Sequence, residues 1–221
     1  MTEPSGGNTD KPRRPVVVPA VALVTFTAVG ITALLGGLNE APEQPDPLSE
    51  GAVLDQGLYS TKFVGSRVKI EPAQNEWDEE KRFVELVFNV TNNSDETLLV
   101  GLPPEKVEQA YTSTFFAGSL VKIDPAFPGE DAGPFAYALS KGGETRQLHP
   151  GVPTEVILRY KLQKGQQPPA KISLDVASYE FASQFNNNVE AWRMISKEVG
   201  QKHLPEIKAR VTMSVKKGDS A

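Results

Sequence analysis

Cysteine is absent from all 221 residues. That single absence removes disulfides, thiolate metal sites, cysteine nucleophiles and lipid attachment through an N-terminal cysteine. Secreted animal domains of this size usually carry disulfides, so a cysteine-free exported chain fits a bacterial envelope. Histidine is almost absent, with only His149 and His203. Any Ser-His-Asp arrangement would have to use one of them. His149 sits beside the turn signal Pro150-Gly151, no G-x-S-x-G occurs, and no enzymatic activity is predicted. Glycine-rich phosphate loops and patches of interleaved basic and aromatic residues are missing as well. The net charge of −5 argues against nucleic acid as a ligand.

Metal and cofactor signals are equally thin. His149, His203, Met194 and Met213 are the residue types of a copper site, but no pair has ligand spacing. The acidic stretch 124–131 (DPAFPGED) lacks the alternating Asp/Asn ladder of a calcium loop. Residues 76–81 (EWDEEK) read as a solvated hairpin loop, with Trp77 folded back on a sheet. No cofactor is predicted.

Charge is missing altogether from residues 15–38, PVVVPAVALVTFTAVGITALLGGL, where Thr25, Thr27 and Thr32 are the only polar side chains. A helix needs about 20 apolar residues to cross a hydrocarbon core of about 30 Å. Threonine hydroxyls are cheap there because they bond back to the preceding turn. Lys11, Arg13 and Arg14 precede this segment. Glu40, Glu43, Asp46 and Glu50 follow it, with no Lys or Arg until Lys62. The side rich in Lys and Arg stays cytoplasmic. The segment is therefore predicted to be an uncleaved transmembrane helix, with the N-terminus inside the cell and the rest outside. A cleaved signal peptide competes, but its hydrophobic core should span only about 7–15 residues, and Arg13-Arg14 is a poor start for twin-arginine export. Three basic residues against Glu3 and Asp10 give the tail +1, which leaves −6 outside the membrane.

The remaining organisation is simple. Residues 1–14 have no apolar side chain after Met1 and are expected to be a disordered cytoplasmic tail. Residues 39–56 carry Pro42, Pro45 and Pro47 among acidic residues and are expected to form a stiff linker. Residues 57–217 suffice for one domain with a sizeable core, followed by a short tail at 218–221.

Within that domain the hydrophobic period is two. Along 82–92, Val84, Leu86, Phe88 and Val90 alternate with Glu85, Asn89 and Thr91. Along 155–162, Val156, Leu158, Tyr160 and Leu162 alternate with Glu155, Arg159 and Lys161. Along 206–216, Ile207, Ala209, Val211, Met213 and Val215 alternate with Lys208, Arg210, Thr212, Ser214 and Lys216. Alternate side chains of a strand line opposite faces, so each segment is predicted to be a half-buried antiparallel strand. Shorter strands are expected at 67–71, 97–101, 120–124, 135–139 and 172–179. Turn signals at 92–95, 103–104, 142–143, 150–151 and 165 separate them. One segment departs: Val189, Trp192, Ile195 and Val199 recur at helical spacing between Asn187, a candidate cap, and Gly200, a candidate stop. A short helix is predicted there.

The runs VELVFNVTNNSDETLLV, LHPGVPTEVILRYKL and KISLDVASYEF resemble the telokin-like, immunoglobulin-like extracellular domains of small Gram-positive membrane-anchored proteins. In that family a Leu-x-Pro-Gly element turns the chain into a long inner strand, matching Leu148, Pro150 and Gly151 here. The resemblance covers roughly residues 57–180. The segment around Trp192 and the Pro/Gly-rich 102–135 region depart from the compact version. It implies a mainly β, immunoglobulin-like antiparallel β-sandwich with one short helix, placed behind a single transmembrane helix. It implies a surface location and no activity, since such a sandwich hosts many functions.

The expected function is therefore noncatalytic: a single-pass protein whose displayed domain contacts another membrane or cell-envelope component. The alternative is a sensor or binding module for a small ligand or cell-wall fragment. The lipid bilayer is the expected partner of residues 15–38; the protein or envelope partner is not identified by the sequence. The candidate contact residues are the aromatics of the long connections, Tyr111, Phe115, Phe116, Phe127, Phe185 and Trp192. Connections longer than about 12–15 residues are uncommon unless they function or are disordered.

Overall fold

Period-two patterning produces strands throughout the chain's second unit, which runs from Pro45 onward. The computed structural model describes residues 44–129, 131–141, 143–183 and 189–217. The expected transmembrane helix at 15–38, the tail at 1–14 and Phe185 lie outside the described residues. Among the described residues no helix is long and apolar enough to cross a membrane.

The chain forms β1 (Asp46–Ser49), β2 (Val53–Asp55), a long hairpin of β3 (Tyr59–Glu71) and β4 (Lys81–Asn92), then β5 (Leu98–Leu99). Two short 3-10 helices, Val107–Thr112 and Phe116–Ser119, lead into β6 (Leu120–Asp124). There follow β7 (Phe135–Ser140), β8 (Gly143–Thr145), β9 (Gln147–Leu148), β10 (Thr154–Lys161) and β11 (Lys171–Ala177). Two ribbons come next, β12 (Tyr179–Ser183) with β13 (Glu190–Met194) and β14 (Ser196–Val199) with β15 (Lys202–Pro205). Strand β16 (Ile207–Lys216) closes the chain.

The main sheet has the order β6-β11-β16-β3-β4-β10-β7-β8, with β1 on β16 and β2 on β3. Most neighbours are antiparallel, but β16 runs parallel to both β3 and β1. The sheet curls. Leu174, Val176, Val211 and Met213 from β11 and β16 fall into one hydrophobic cluster with Phe63, Leu86, Phe88, Val156 and Leu158 from β3, β4 and β10. Phe88 lies at its centre, edge-on to Phe63 at 5.9 Å and to Phe116 at 5.5 Å. Strand β16 follows the alternation expected of it, and β10 does so except at Ile157, which is buried as well. In β16 every second residue from Ala209 to Met213 is buried, and in β10 Val156, Leu158 and Tyr160 face the cluster.

Four expectations need correction. The segment expected to be a helix between 187 and 200 is two strands. Trp192 pairs across the ribbon with Phe181 and Met194 with Tyr179, so cross-strand packing supplies what a helical stripe would have needed. Gly200, with φ 66, turns the β14–β15 hairpin rather than stopping a helix. The linker expected at 39–56 is strand from Asp46 to Ser49 and from Val53 to Asp55, with Leu54 and Gln56 buried. Finally, β4 is buried on both faces over Phe83–Phe88, not half-buried, and Glu85 is only 2% exposed. Trp77 is 94% exposed and does not fold back on the sheet.

Candidate functional site

Strand pairing places two irregular regions at one end of the domain. Asn92 at the end of β4 lies opposite Tyr59 at the start of β3, Leu120 at the start of β6 opposite Val176, and Ala177 at the end of β11 opposite Ile207. The connections that leave from these points, 93–119 and 178–206, therefore share that end. The helix Val107–Thr112 packs against β13 and β15.

The floor of this end is polar and fully satisfied. Gln56 is wholly buried; its Nε2 donates to Ser119 Oγ at 2.9 Å and to the Ala177 carbonyl at 2.8 Å, and its Oε1 accepts from Thr61 Oγ1 at 2.6 Å. The adjacent Gly57 has φ 78, and a Cβ there would lie 2.3 Å from the Tyr179 carbonyl oxygen, so this close crossing needs glycine. Two buried tyrosines, Tyr59 and Tyr179, meet edge-on at 5.8 Å. Tyr59 donates to the Thr114 carbonyl at 2.7 Å and Tyr179 to the Phe115 carbonyl at 3.0 Å. Burial pushes both phenols well above their ordinary range, which keeps them neutral donors.

These two bonds hold the Thr114–Phe115 segment as a ridge between two clefts. On one side a cleft of about 630 Å³ is lined by Leu99, Gly101, Leu102, Phe135, Tyr137 and Arg146, among others. Phe115 lies against it: Gly101 has φ 70, and a Cβ on it would come within 2.4 Å of the Phe115 Cβ. On the other side a cleft of about 400 Å³ is lined by Leu58, Leu98, Thr114, Phe181 and Trp192, with Asp95, Glu96 and Glu190 at its walls. The Phe181 and Trp192 rings stand 5.4 Å apart. Both volumes fall within the few-hundred-Å³ range of small-ligand pockets, but both clefts are open to solvent.

The candidate aromatics separate by environment. Phe115 and Tyr111 are exposed at 41% and 40%, and Tyr111 lies 5.4 Å from the His203 ring. Trp192 is half-buried, packed on the core with one side in the smaller cleft. Phe116 belongs to the core instead: it is fully buried, edge-on to Tyr59 at 5.7 Å. Phe127 stacks on Tyr160 at 4.3 Å and is half-buried in a connection that follows β6, away from the ridge. Phe181 and Phe135, aromatics of the connections 180–204 and 125–137, are exposed at 53% and 48%. Sequence reasoning missed Leu102 and Leu99, exposed at 56% and 43%, which lie in a short strand or connection with no alternation to mark their faces.

Away from this end, the second face of β4 carries a charge cluster that the sequence hid. Glu85 accepts from Arg67 Nε at 2.8 Å and from Arg159 Nη2 at 2.7 Å, and Arg159 Nη1 reaches Glu71 at 2.8 Å. The Arg159 guanidinium also lies 4.6 Å from the Phe83 ring centre. Every charge here has a partner, so the arrangement reads as a clamp across β3, β4 and β10. His149 Nδ1 sits 3.1 Å from Thr97 Oγ1 in the β9 turn. Among the described residues no three His, Asp or Glu side chains gather closely enough to hold a metal ion. The architecture supplies an apolar, aromatic-edged surface suited to contact. No family model, curated protein or solved structure matches this chain.

Proposed function

We propose that this protein is a noncatalytic, single-pass membrane protein that displays an immunoglobulin-like β-sandwich outside the cytoplasm and contacts another membrane or envelope component through the end of that domain. The sandwich reading is supported by the single hydrophobic cluster drawn from both halves of the curled sheet, and by the parallel pairing of β1 with β16. The observation that carries the functional reading is the gathering of exposed apolar side chains, Leu99, Leu102, Phe115 and Phe181, in the connections of one end, beside two clefts of which the larger extends along β7. Exposed apolar residues scattered singly need no explanation, whereas a concentration edged by charged groups marks a contact site. The larger cleft also favours the second reading, a small ligand or cell-wall fragment held between Leu99, Phe135 and Arg146.

The anchor and its direction are tested through the absence of native cysteine. Single cysteines in place of Ser5 and Ser220 are treated with an impermeant thiol reagent on intact cells. Labelling at 220 and none at 5 is expected. Labelling at 5, or a mature chain beginning near residue 38, removes the anchor. A photoreactive side chain at 181 should then capture an envelope component that one at 77 does not; equal capture removes the end-face assignment.

A further inference from the structure

The pairing of β1 fixes the end of the domain at which the chain enters it. Strand β1 runs parallel to β16, with Asp46 opposite Ala209. The chain therefore arrives at the end where β16 begins. The β12–β13 and β14–β15 ribbons leave and return at that same end, because Ala177 and Ile207 are paired neighbours. Between Leu38, the last residue of the expected span, and Asp46 lie residues 39–45. A fully extended stretch of that length reaches at most about 25 Å. The β3–β4 hairpin points the other way. Strand β3 has 13 residues, which at about 3.3 Å each carries the Trp77 loop roughly 40 Å from the Tyr59 end.

The near end carries the apolar tips. Val199, 57% exposed, stands at the turn of the β14–β15 ribbon. Phe181, Tyr111, Val107, Phe115 and Leu102 are exposed in the connections that leave from the same end. Three of the cations there are paired locally, Lys202 with Glu108, Lys197 with Glu206 and Arg193 with Glu180, which leaves Lys106 and Arg146 scattered among them. Asp95, Glu96 and Glu190 add negative charge beside the smaller cleft. This is a surface for apolar and aromatic insertion, and it has no basic patch that anionic headgroups would attract.

We infer that this end of the domain rests on the bilayer, with the ribbons and the Val107–Thr112 helix set into its interfacial layer and the β3–β4 hairpin pointing away. The inference rests on the anchor proposed above and names the lipid surface as the partner of the same contact site. Tethering makes weak insertion sufficient, since a short linker holds the two surfaces at an effective concentration on the order of millimolar. Aromatic side chains suit the water–hydrocarbon boundary because their rings pack at headgroup depth. Contact of this kind is insensitive to ionic strength and weakens as anionic lipid is added, because the carboxylates beside the cleft are repelled.

The test uses the full chain in phosphatidylcholine vesicles free of other protein. Nitroxide labels on single cysteines, Phe181→Cys, Val199→Cys and Trp77→Cys, report collision with a water-soluble relaxant and with oxygen. The labels at 181 and 199 should show a several-fold lower collision rate with the water-soluble relaxant than the label at 77, and a raised collision rate with oxygen. Equal accessibility at all three positions, in vesicles that retain the chain through an alkaline wash, overturns the resting orientation and leaves the anchor intact. A chain that the wash removes overturns the anchor, and the orientation with it. Protection at 181 and 199 that occurs in native membranes and not in lipid vesicles overturns lipid as the partner and assigns the face to a membrane protein.

Discussion

Phe115 and Phe116 are neighbours in sequence with opposite environments, and replacing each by alanine separates contact from core. Phe116 is fully buried and packs edge-on against Tyr59 and Phe88 at 5.7 and 5.5 Å. A Phe→Ala change at such a site costs about 3–5 kcal/mol through lost transfer energy and the cavity left behind. Phe115 keeps 41% of its surface in water, so only about three-fifths of its burial energy is at stake. Taking about 1.5–3 kcal/mol for complete burial of such a side chain gives a loss of about 1–2 kcal/mol. The alanine methyl also retains the contact with Gly101, which involves the Phe115 Cβ. Urea unfolding followed by circular dichroism reads the difference. With an m-value of about 2 kcal/mol/M, the Phe116→Ala midpoint should fall about 1 M below that of Phe115→Ala. Equal losses would refute the reasoning, since the ridge would then be part of the core on both sides.

Gln56→Leu keeps the volume but orphans the Ala177 carbonyl and the Thr61 hydroxyl in a buried site, so unfolding should show a loss of about 2–4 kcal/mol; a neutral outcome would mean water replaces the amide. Glu85→Ala strips Arg159 and Arg67 of their shared carboxylate. Because Arg67 is half-exposed, the cost should be about 2–3 kcal/mol rather than the full value for a buried pair, while Glu79→Ala, at the exposed bridge to Lys164, should leave the unfolding midpoint unchanged. Gly101→Ala introduces a methyl at φ 70 against the Phe115 Cβ and should cost about 1–2 kcal/mol while shifting the ridge, seen as altered protease cleavage near residue 115.

The strands were legible wherever one face is buried and the other wet. Strand β16 alternates as its sequence does, and β6 has the same bounds that the pattern gives, 120–124. Strand β4 shows where that logic stops. Glu85 reads as solvated because it is charged, yet it is covered by arginines from β3 and β10 that stand 18 and 74 positions away. Period-two patterning reports that two faces differ; it does not report what lies over the second one. The misread helix has a related cause. Val189, Trp192, Ile195 and Val199 fit a helical stripe, but Trp192 and Val199 sit equally well in two strands of five and four residues, with Val189 and Ile195 just outside them. Short segments carry too few positions to separate periods of 3.6 and 2, and the deciding partner, Phe181, is remote from the window.

The proposed contact surface was legible only as a region. Aromatics in long connections point to 102–118, 125–137 and 180–204; the first and third leave from the end that carries the exposed side chains, whereas Phe127 and Phe135 of the second lie beside Tyr160 and Arg159, away from it. Which ring faces out is a tertiary outcome. At Phe115 the choice is made by Gly101, whose left-handed backbone leaves room for the ring outside, and by the Tyr59 and Tyr179 hydroxyls that hold the ridge carbonyls inside. Phe116, one position on, therefore turns towards Phe88. The same end also explains why residues 46–56 misread as a spacer. Their prolines and acids have linker composition, but β1 needs only a free edge on β16, and Gln56 needs only the buried acceptors and donor that Ala177, Ser119 and Thr61 present. A polar residue buried by such a network is invisible to hydropathy, because its partners are brought together only by the fold. The consequence is mechanical: a chain held by β1 and Gln56 enters the domain at a fixed point.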